Sequence, residues 1–533
     1  MEIDEKQEKI LKQFVTNTKS NVFVLRNLPE VIKGALFSRY SRAPLSLREL
    51  LLKEFVSNDE LKFDQIVGIQ ENNEVLAIQK AQKFYDRILD GYGDDSIGEL
   101  GGAHLAAENI SMIAAKVIED ARIGGSPLEK STRYIYFDKK VDGEFLFYKD
   151  PTIMRTPFKE LYLKTCNHLF ETYAKLIPPL LENFEKKLPK EDGVSDGAYR
   201  AAQRAKVCDC LRGLLPAAAL TNMGVFGNGR FFETLLQKLN SESLQELKDI
   251  GKEAQEELGK VIPSFVRRSK PEHRHAQSLC SFHHQMKADL KTLAKQHEKE
   301  DNEPKQCVKL IHAENNAPVL VAAALLFAHT DTSYEDLIKH CQGLSQEELE
   351  RILDGACRFR ENRRHKSPRA LENAVFTFEI CADFGSYRDL QRHRMLTQER
   401  KRLTCDNGFW IPPEIIDTSL EKTYVDAMEI AQEAYLQIAK EFPEQAQYVV
   451  PMGYNIHWYF TCNLRALQWL CELRSQPQGH ATYRFVAQEM AKQIIHRFPQ
   501  FERFFKYVDY EGYDLGRLSQ EIRIHQKRNE APA

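Results

Sequence analysis

The stretch YVVPMGYNIHWYFTCNLRALQWLC, residues 448–471, has a counterpart in the first half of the chain, GLLPAAALTNMGVFGNGRFFETLL, residues 213–236. The two stretches align without a gap, because Pro216 and Pro451 lie 235 residues apart and so do Asn228 and Asn463. A constant internal offset indicates a repeated structural unit. We therefore interpret the chain as a tandem duplication in which one half predicts the fold of the other.

A second, upstream block repeats at a different offset. DDSIGELGGAHLAAENISMIAAKVIEDARI, residues 94–123, lies 271 residues before HKSPRALENAVFTFEICADFGSYRDLQRHR, residues 365–394. Because the offset is smaller further along, the segment between the blocks is longer in the first half. These alignments predict an N-terminal segment at 1–40, a first repeat at 41–266, a polar linker or helix at 267–310 and a second repeat at 311–533.

The segment between the repeats is polar and charged and contains several metal-binding residue types. Their spacing fits no standard zinc pattern. We therefore predict a solvated helix and linker, and no metal site, for the part of the chain that contains His273, His275, Cys280, His283 and His284.

Composition narrows the class of protein. A chain of 533 residues that is 42% hydrophobic can bury a large core and predicts two to four domains. Eleven cysteines without framework spacing, together with a polar N-terminus, favour a cytoplasmic protein without disulfides. No apolar run approaches the roughly 18 residues of a membrane span. The net charge of −3 gives no general attraction to nucleic acid, so local arginine clusters would bind small phosphorylated ligands.

Hydrophobic periodicity predicts a helix-rich α/β fold of the mixed α+β kind in each half. Apolar residues recur every three or four positions at 100–121 and 423–442, which predicts helices. Residues 133–138 and 143–148 alternate and are aromatic, which predicts two strands joined by a Val-Asp-Gly turn.

The second half contains a compact basic cluster. QRHRMLTQERKR, residues 391–402, places Arg392, His393 and Arg394 at the end of an apolar-periodic helix. Adjacent cationic groups repel one another unless they are solvated or face an anion. Two interpretations stay open at this point: an exposed basic helix end, which the helix dipole favours, or an anion-binding site.

This cluster, with the hydroxyl three residues on and the Gln-Glu pair after it, resembles the signature R-H-R-x-x-S-x-N-E-x-S-x-R of the flavin-dependent thymidylate synthases. HKSPRALENAVFTFEI upstream is similar to that family's H-x-S-x-x-E-H segment. VVP, TCNLRALQWLCELR and HATYRFVAQEM resemble its C-terminal L-P, N-x-R and L-R elements. The resemblance spans residues 360–500, with a weaker copy at 90–260. It implies two tandem copies of the family fold, a sheet flanked by long helices.

Each copy keeps the part of the signature that the other has lost. SPLEKSTRY, residues 126–134, keeps the E-x-S-x-R part, whereas Ala-Arg-Ile at 121–123 replaces Arg-His-Arg. The second copy keeps Arg-His-Arg but reads Arg-Lys-Arg at 400–402. In the family, one subunit supplies Arg-His-Arg, N-x-R and the L-R arginine, and its neighbour supplies the E-x-S-x-R loop and an arginine before L-P. The resemblance therefore implies one composite site built from both repeats.

The resemblance also implies the site residues. Those for the substrate dUMP are Glu129, Ser131, Thr132, Arg133, Arg212, Arg392 and Arg474, of which Ser131 and Arg474 are assigned as catalytic. Those for FAD are Ser96, Glu129, Arg392, His393, Arg394, Asn463 and Arg465. Gln447 replaces Arg212 in the second repeat, and Leu239 replaces Arg474 in the first.

The implied reaction is the reductive methylation of dUMP to dTMP, with methylenetetrahydrofolate as carbon donor, NADPH as reductant and FAD as cofactor. No cysteine nucleophile is required, so the cysteines are interpreted as small buried hydrophobes. The resemblance also implies a homodimer equivalent to four family subunits.

Three alternatives stay open. Asp389 stands where the family often has a glutamine that contacts the base, so a related flavoenzyme acting on another pyrimidine nucleotide is the nearest. A non-catalytic protein that binds flavin or nucleotide for regulation is the second. A nucleic-acid methylase is the third, and the lack of a continuous basic track disfavours it.

Overall fold

The computed structural model describes residues 4–41, 43–56, 98–121, 123–298 and 307–530. Its strands are β1 (Gly102–Ser111), β2 (Gly125–Glu129), β3 (Leu220–Asn228), β4 (Val308–Ala313), β5 (Val375–Asp383), β6 (Thr397–Arg400) and β7 (Asn455–Asn463). Its α-helices are α1 (Glu5–Phe14), α2 (Glu30–Tyr40), α3 (Leu47–Leu50), α4 (Met112–Glu119), α5 (Lys159–Lys187), α6 (Asp196–Leu211), α7 (Gly229–Asn240), α8 (Gln245–Val261), α9 (Arg274–His297), α10 (Ala317–Phe327), α11 (Tyr334–Gln342), α12 (Gln346–Gly355), α13 (Phe384–Leu390), α14 (Glu421–Ala439), α15 (Leu464–Arg474), α16 (Ala481–Arg497) and α17 (Leu518–Glu530). Within these described ranges, no helix is both long enough and apolar enough to cross a membrane.

The chain forms two compact units, of which the first comprises residues 1–110, 114–130 and 221–300. Its sheet has the strand order β1-β3-β2. Strand β2 runs antiparallel to β3, with Gly125 opposite Gly227. Leu235 and Leu239 of α7 are fully buried, so this helix closes the core beside its sheet. The result is a small antiparallel sheet in which two strands lead directly into helices, β1 into α4 and β3 into α7.

The second unit comprises residues 111–113, 131–220 and 301–533. Its four-stranded antiparallel sheet has the order β4-β5-β7-β6. Strands β5 and β7 pair over nine residues, from Val375 opposite Asn463 to Asp383 opposite Asn455. Each of these two central strands leads directly into a helix, α13 or α15. Residues 131–220 of the predicted first repeat thus pack with the second repeat, while the repeat boundaries themselves stay a prediction.

The duplication is visible in the helix starts. The sequence β3-α7 repeats as β7-α15, and an aligned asparagine caps each helix. Asn228 Oδ1 accepts the N–H of Phe231 at 2.8 Å, and Asn463 Oδ1 accepts the N–H of Ala466 at 2.9 Å. Because an N-cap side chain satisfies a helix N–H that has no intrahelical partner, these asparagines have the same structural role in both repeats.

The aligned Leu-Pro segments pair with each other inside the second unit, where Pro216 lies opposite Pro451. The Ala217 N–H donates to the Val450 carbonyl at 2.9 Å, and the Met452 N–H donates to the Leu215 carbonyl at 2.9 Å. Exchanging the two repeats exchanges these two bonds. The contact is therefore isologous, as at a two-fold axis between identical subunits.

The longer spacing in the first repeat corresponds to helical structure. Between the strands of the first repeat lie α5, with 29 residues, and α6, with 16 residues. The second repeat has α14, with 19 residues, in the matching interval. The change of offset noted in the sequence therefore reflects a longer helix and an added one.

Two helix predictions are confirmed and one is half wrong. Helix α14 confirms the helix predicted at 423–442, and α9, which has no buried residue, confirms the solvated helix predicted in the polar segment. At 100–121 only α4 is helical, because residues 102–111 form β1 and pair with β3. Apolar residues spaced three and four apart in this alanine-rich stretch did not distinguish a helix from a strand. Residues 102–111 form a strand because β3 is available to pair with them.

The two predicted strands at 133–138 and 143–148 are wrong, although the turn between them is right. The backbone there is irregular and has isolated bridges. Asp142 and Gly143 have φ of 51° and 83°, as in the tight turn expected between strands. In the first segment the aromatic rings pack on arginines, with Arg517 Cζ 4.2 Å from the Tyr134 ring centre and Arg204 Cζ 4.5 Å from the Tyr136 ring centre. In the second segment Phe145 and Phe147 pack on Phe170.

Candidate functional site

The second unit gathers the four arginines predicted to bind the substrate around one carboxylate, Asp389 of α13. Arg212 Nη1 lies 3.1 Å from Asp389 Oδ2, and Arg474 Nη1 lies 3.9 Å from Asp389 Oδ1. Burial raises the pKa of Asp389, but the charges of Arg212, Arg133, Arg474 and Arg392 outweigh it and hold that pKa well below its usual range. The carboxylate is therefore ionised and couples arginines from both repeats.

Arg212 is a buried arginine whose guanidinium has donors that the protein does not satisfy. Its side chain is 4% exposed, and only Nη1 of its guanidinium has a hydrogen-bond partner in the structure; Nε and Nη2 are buried without one. Gly385 makes room for it, since a Cβ there would lie 2.9 Å from Arg212 Nη2. Leaving a buried polar group unsatisfied costs about 1–3 kcal/mol. Such unsatisfied donors are expected where a ligand completes the hydrogen bonds.

Arg133, in contrast, has a protein hydrogen-bond acceptor at each of its three guanidinium nitrogens. Its Nε and Nη2 donate to the two oxygens of Asp209, each at 2.7 Å. Nη1 donates to the Tyr483 hydroxyl at 2.6 Å, and Nη2 also donates to the Gln478 carbonyl at 3.1 Å. Burial lowers the pKa of Arg133, but the charge of Asp209 raises it well above the ordinary value. This guanidinium therefore fixes the loop that contains it.

The loop Ser131–Tyr134 presents its hydroxyls beside this anchor. Ser131 Oγ accepts the N–H of Arg133 at 3.2 Å, and Thr132 is buried. Since Arg133 contacts Tyr483 and Gln478, this first-repeat loop lies against the C-terminal part of the second repeat. The structure thus brings four predicted first-repeat residues, Ser131, Thr132, Arg133 and Arg212, into the unit that contains the Arg-His-Arg cluster.

His393 and Arg474 form a contact of their own. Arg474 Nε donates to His393 Nε2 at 3.0 Å. Burial and the charge of Arg474 lower the pKa of His393 well below 6.5, so the ring is neutral and has its proton on Nδ1. Arg392 is half-buried and Arg394 is exposed. The cluster therefore combines a neutral imidazole with three guanidinium groups.

The predicted flavin residues Asn463 and Arg465 have internal partners. Asn463 caps α15. Arg465 Nε donates to the Ser367 carbonyl at 2.8 Å, and its Nη1 donates to Glu372 Oε1 at 2.8 Å. The hydroxyl of Ser367, the residue aligned with Ser96, is buried and has no hydrogen-bond partner. Here too a buried polar atom lacks a hydrogen-bond partner.

Glu129 and Ser96 are not part of this cluster of described contacts. Glu129 belongs to the first unit, where its Oε2 lies 3.0 Å from Lys116 Nζ. Lys116 also pairs with Glu119, and all three side chains are almost fully buried. Ser96 lies outside the described residues. The predicted ligand roles of both residues stay predictions.

Four residues that the sequence did not single out complete the site: Asp209, His480, Tyr483 and Arg517. His480 Nε2 lies 2.9 Å from the Asp209 carbonyl. Burial, followed by the charge of Arg212, lowers the pKa of His480 to about 4, so the ring is neutral at pH 7. His480 and Tyr483 occur in HATYRFVAQEM, a stretch recognised only as a family element. Asp209 is on α6, in the added length of the first repeat, where no pattern marks it.

The residues that replace Arg212 and Arg474 in the opposite repeat are structural. Leu239 is fully buried in the core of the first unit. Gln447 Oε1 accepts the Leu403 N–H at 3.2 Å, and its Nε2 donates to the Glu444 carbonyl at 3.0 Å. Both replacement residues therefore support the fold: Leu239 packs in a core, and Gln447 forms hydrogen bonds with the backbone.

Most of the cysteines are buried thiols. All eleven are free thiols, and nine are buried. Burial raises the pKa of Cys208 and of Cys307 to about 12, which suppresses the reactive thiolate. Within the described ranges, no group of three or more His, Cys, Asp or Glu side chains is placed to hold a metal ion.

The fold and the cluster define a mixed α+β protein with positive charge concentrated in a buried site. The model of the family described as thymidylate synthase complementing protein matches residues 54–264 and 309–500. The chain belongs to this family, and the two matches confirm the tandem duplication.

Relatives match along nearly the whole chain. A UPF0159 protein of Chlamydia muridarum is 53% identical over 524 residues, covering 98% of each chain. That of Chlamydia pneumoniae is 54% identical over 519 residues, covering 97% of each. That of Thermoplasma acidophilum is 33% identical over 521 residues, covering 93% of this chain and 99% of its own. A solved UMP/dUMP methylase PolB from Streptomyces cacaoi, bound with 5-Br UMP, is 19% identical, covers 38% of this chain and 94% of its own, and has a TM-score of 0.30.

Proposed function

We propose that this protein is a flavin-dependent methyltransferase that converts dUMP to dTMP at one composite site in the second unit. The observation that carries the proposal is the convergence of Arg133 and Arg212 from one repeat with Arg392 and Arg474 from the other around Asp389. Membership of the thymidylate synthase complementing protein family supports the same class of reaction.

The charge of the cluster matches a nucleotide phosphate. Its guanidinium groups are Arg133, Arg212, Arg392, Arg474 and Arg517, and its carboxylates are Asp209, Asp383 and Asp389. His393 and His480 are neutral, so positive charge is in excess. A phosphate monoester carries about −1.5 to −2 charges at pH 7 and offers three acceptor oxygens. Nε and Nη2 of Arg212 supply two donors that lack protein partners and suit these oxygens.

The proposed reaction replaces the hydrogen on C5 of uracil by a methyl group. The methylene carbon of methylenetetrahydrofolate forms a bond to C5 and breaks both of its bonds to folate nitrogens, which take up protons and so yield tetrahydrofolate. NADPH supplies a hydride equivalent and becomes NADP⁺, and the C5 proton leaves to solvent as dTMP forms. Ser131 and Arg474 are the residues proposed to act on the bound nucleotide, with Thr132 beside them.

The residues present fit FAD in part. The charges of Arg392 and Arg394 suit its diphosphate, and the buried Ser367 hydroxyl lacks a partner. Arg465 is already neutralised by Glu372, so its role would be to orient the segment that contains Ser367. When bound, the flavin supplies electron transfer between NADPH and the one-carbon unit. The contact between Arg474 and His393 holds both side chains toward the same site.

One observation favours a second candidate, a related enzyme acting on another pyrimidine nucleotide. Asp389 is ionised, so it can accept hydrogen bonds but cannot donate them. The amino group of cytosine offers donors to a carboxylate, whereas O4 of uracil is an acceptor. A comparison of dUMP with UMP and dCMP therefore belongs in the first experiment.

The testing experiment is visible absorption of the purified protein, followed by anaerobic reduction with NADPH, with and without dUMP. We expect bound flavin, reduction that responds to dUMP, and release of tritium from C5-labelled dUMP when methylenetetrahydrofolate is added.

A protein that takes up no FAD would refute the flavin enzyme and leave nucleotide binding as the function. Turnover of dCMP or UMP in place of dUMP would select the second candidate. Light scattering tests the proposed homodimer.

A further inference from the structure

The C-terminal segment lies beyond the family match, which ends at residue 500, yet it contacts the proposed site. Its helix α17 packs on α6, the helix that contains Asp209. The packing is close, because a Cβ at Gly197 of α6 would lie 2.5 Å from His525 Cε1 of α17. The segment is therefore an integral part of the second unit.

Arg517, one residue before α17, reaches the substrate loop from this segment. Its Nη1 donates to the Arg133 carbonyl at 2.9 Å, and its guanidinium lies 4.2 Å from the Tyr134 ring centre. Its Nε also donates to the Gln478 carbonyl at 3.4 Å. One side chain thus holds both the backbone and an aromatic ring of the loop Ser131–Tyr134.

The burial of Arg517 beside another arginine is electrostatically unfavourable. Arg517 is 4% exposed, and burial together with the charge of Arg133 lowers its pKa. Its Nη2 lies 3.6 Å from Asp209 Oδ1, but that carboxylate already accepts two hydrogen bonds from Arg133. Two buried guanidinium groups therefore share one carboxylate, an arrangement that stability alone does not favour.

We propose that Arg517 is a positioning residue that holds the loop Ser131–Tyr134 in the geometry that binds the nucleotide. The inference rests on the proposed function, since it assigns the loop to nucleotide binding. A lysine would keep the charge but has no planar fork to donate to a carbonyl while it stacks on a ring. Residues 501–530 thereby connect the first-repeat loop to the second repeat within one chain.

The test compares Arg517→Met and Arg517→Lys with Arg523→Met, whose exposed arginine lies on α17 itself. Hydrogen exchange of amides 131–136 is measured without nucleotide, and dUMP affinity is measured by calorimetry. For Arg517→Met we expect about tenfold faster loop exchange and about tenfold weaker dUMP binding, because small displacements of binding groups are costly. Arg517→Lys should restore part of both, and Arg523→Met should change neither.

A double-mutant cycle separates positioning from general destabilisation. If Arg517 acts through the loop, adding Arg517→Met to Ser131→Ala weakens dUMP binding less than the sum of the single effects. Additive losses, or faster exchange throughout the protein instead of in the loop, would overturn the proposal. Faster loop exchange with unchanged dUMP affinity would also overturn it. A wild-type protein that binds no nucleotide refutes the proposed function, whereas loop exchange still reports whether Arg517 holds the loop.

Discussion

Two aligned helices, α4, of which residues 114–119 belong to the first unit, and α13 in the second, bear buried charge that is balanced in different ways. Helix α4 contains Lys116, which pairs with Glu119 and Glu129 while all three side chains are almost fully buried. Helix α13 contains Asp389, which lies among arginines that outnumber the nearby carboxylates. One copy of the helix therefore belongs to a buried ion cluster in which a lysine lies between two carboxylates, and the other lies in a cluster with excess positive charge.

The difference separates a structural use of charge from a ligand-binding one. A buried ion pair whose members satisfy each other holds a fold in one arrangement, and removal of one member is costly. A buried arginine with unsatisfied donors lowers stability until a ligand binds, which is characteristic of functional sites. We therefore expect substitutions in the first cluster to affect mainly unfolding, and those in the second to affect mainly binding.

The largest expected effect is that of Lys116→Met on stability. The substitution leaves Glu119 and Glu129 buried without their shared cation, and breaking a buried pair in this way costs about 3–5 kcal/mol. Urea unfolding measures the loss. Lys291→Met, on the exposed face of α9, is the control and should change the midpoint little. An equal midpoint for both variants would show that the first cluster contributes no stability.

Next in size is the effect of Arg212→Gln on binding. Hydrogen bonds to charged groups contribute about 1.5–3 kcal/mol each, so the loss should weaken dUMP binding about 100-fold. Stability should change less, because the buried donors without partners disappear with the side chain. Calorimetry measures affinity, with Arg200→Gln on the exposed face of α6 as control. Unchanged affinity would remove Arg212 from the site.

The pH dependence of stability tests whether the second cluster keeps its histidines neutral. His480 has its pKa lowered from 6.5 to about 4, chiefly by burial and then by Arg212. As pH falls below 6.5 the unfolded chain gains a proton that the folded protein does not, so stability falls between pH 6.5 and about 4. His480→Gln should flatten this slope in unfolding experiments, and His284→Gln on exposed α9 should not. Parallel slopes in all three proteins would contradict a buried neutral His480.

The sequence predicted the architecture where repeats and motifs constrain it. The tandem duplication, the mixed α+β class and helix α14 were accessible because periodicity and alignment report on local structure. The strands at 133–138 were mispredicted because their aromatic rings pack on Arg204 and Arg517, contacts between distant parts of the chain. Asp209 and Arg517 were missed for the same reason, since only tertiary packing places them beside Arg133.

The smallest expected effect offers the best-matched pair of variants, Asn228→Ala and Asn463→Ala. Each asparagine caps the helix after the aligned strand, and loss of an N-cap costs about 1 kcal/mol. Both variants should therefore lose similar stability in thermal unfolding. If Asn463 also binds FAD, as the resemblance implies, only Asn463→Ala should lose flavin from the purified protein, as measured by visible absorption. Equal flavin content in both variants would restrict Asn463 to its cap, because a cap lost in either repeat perturbs the helix start in the same way.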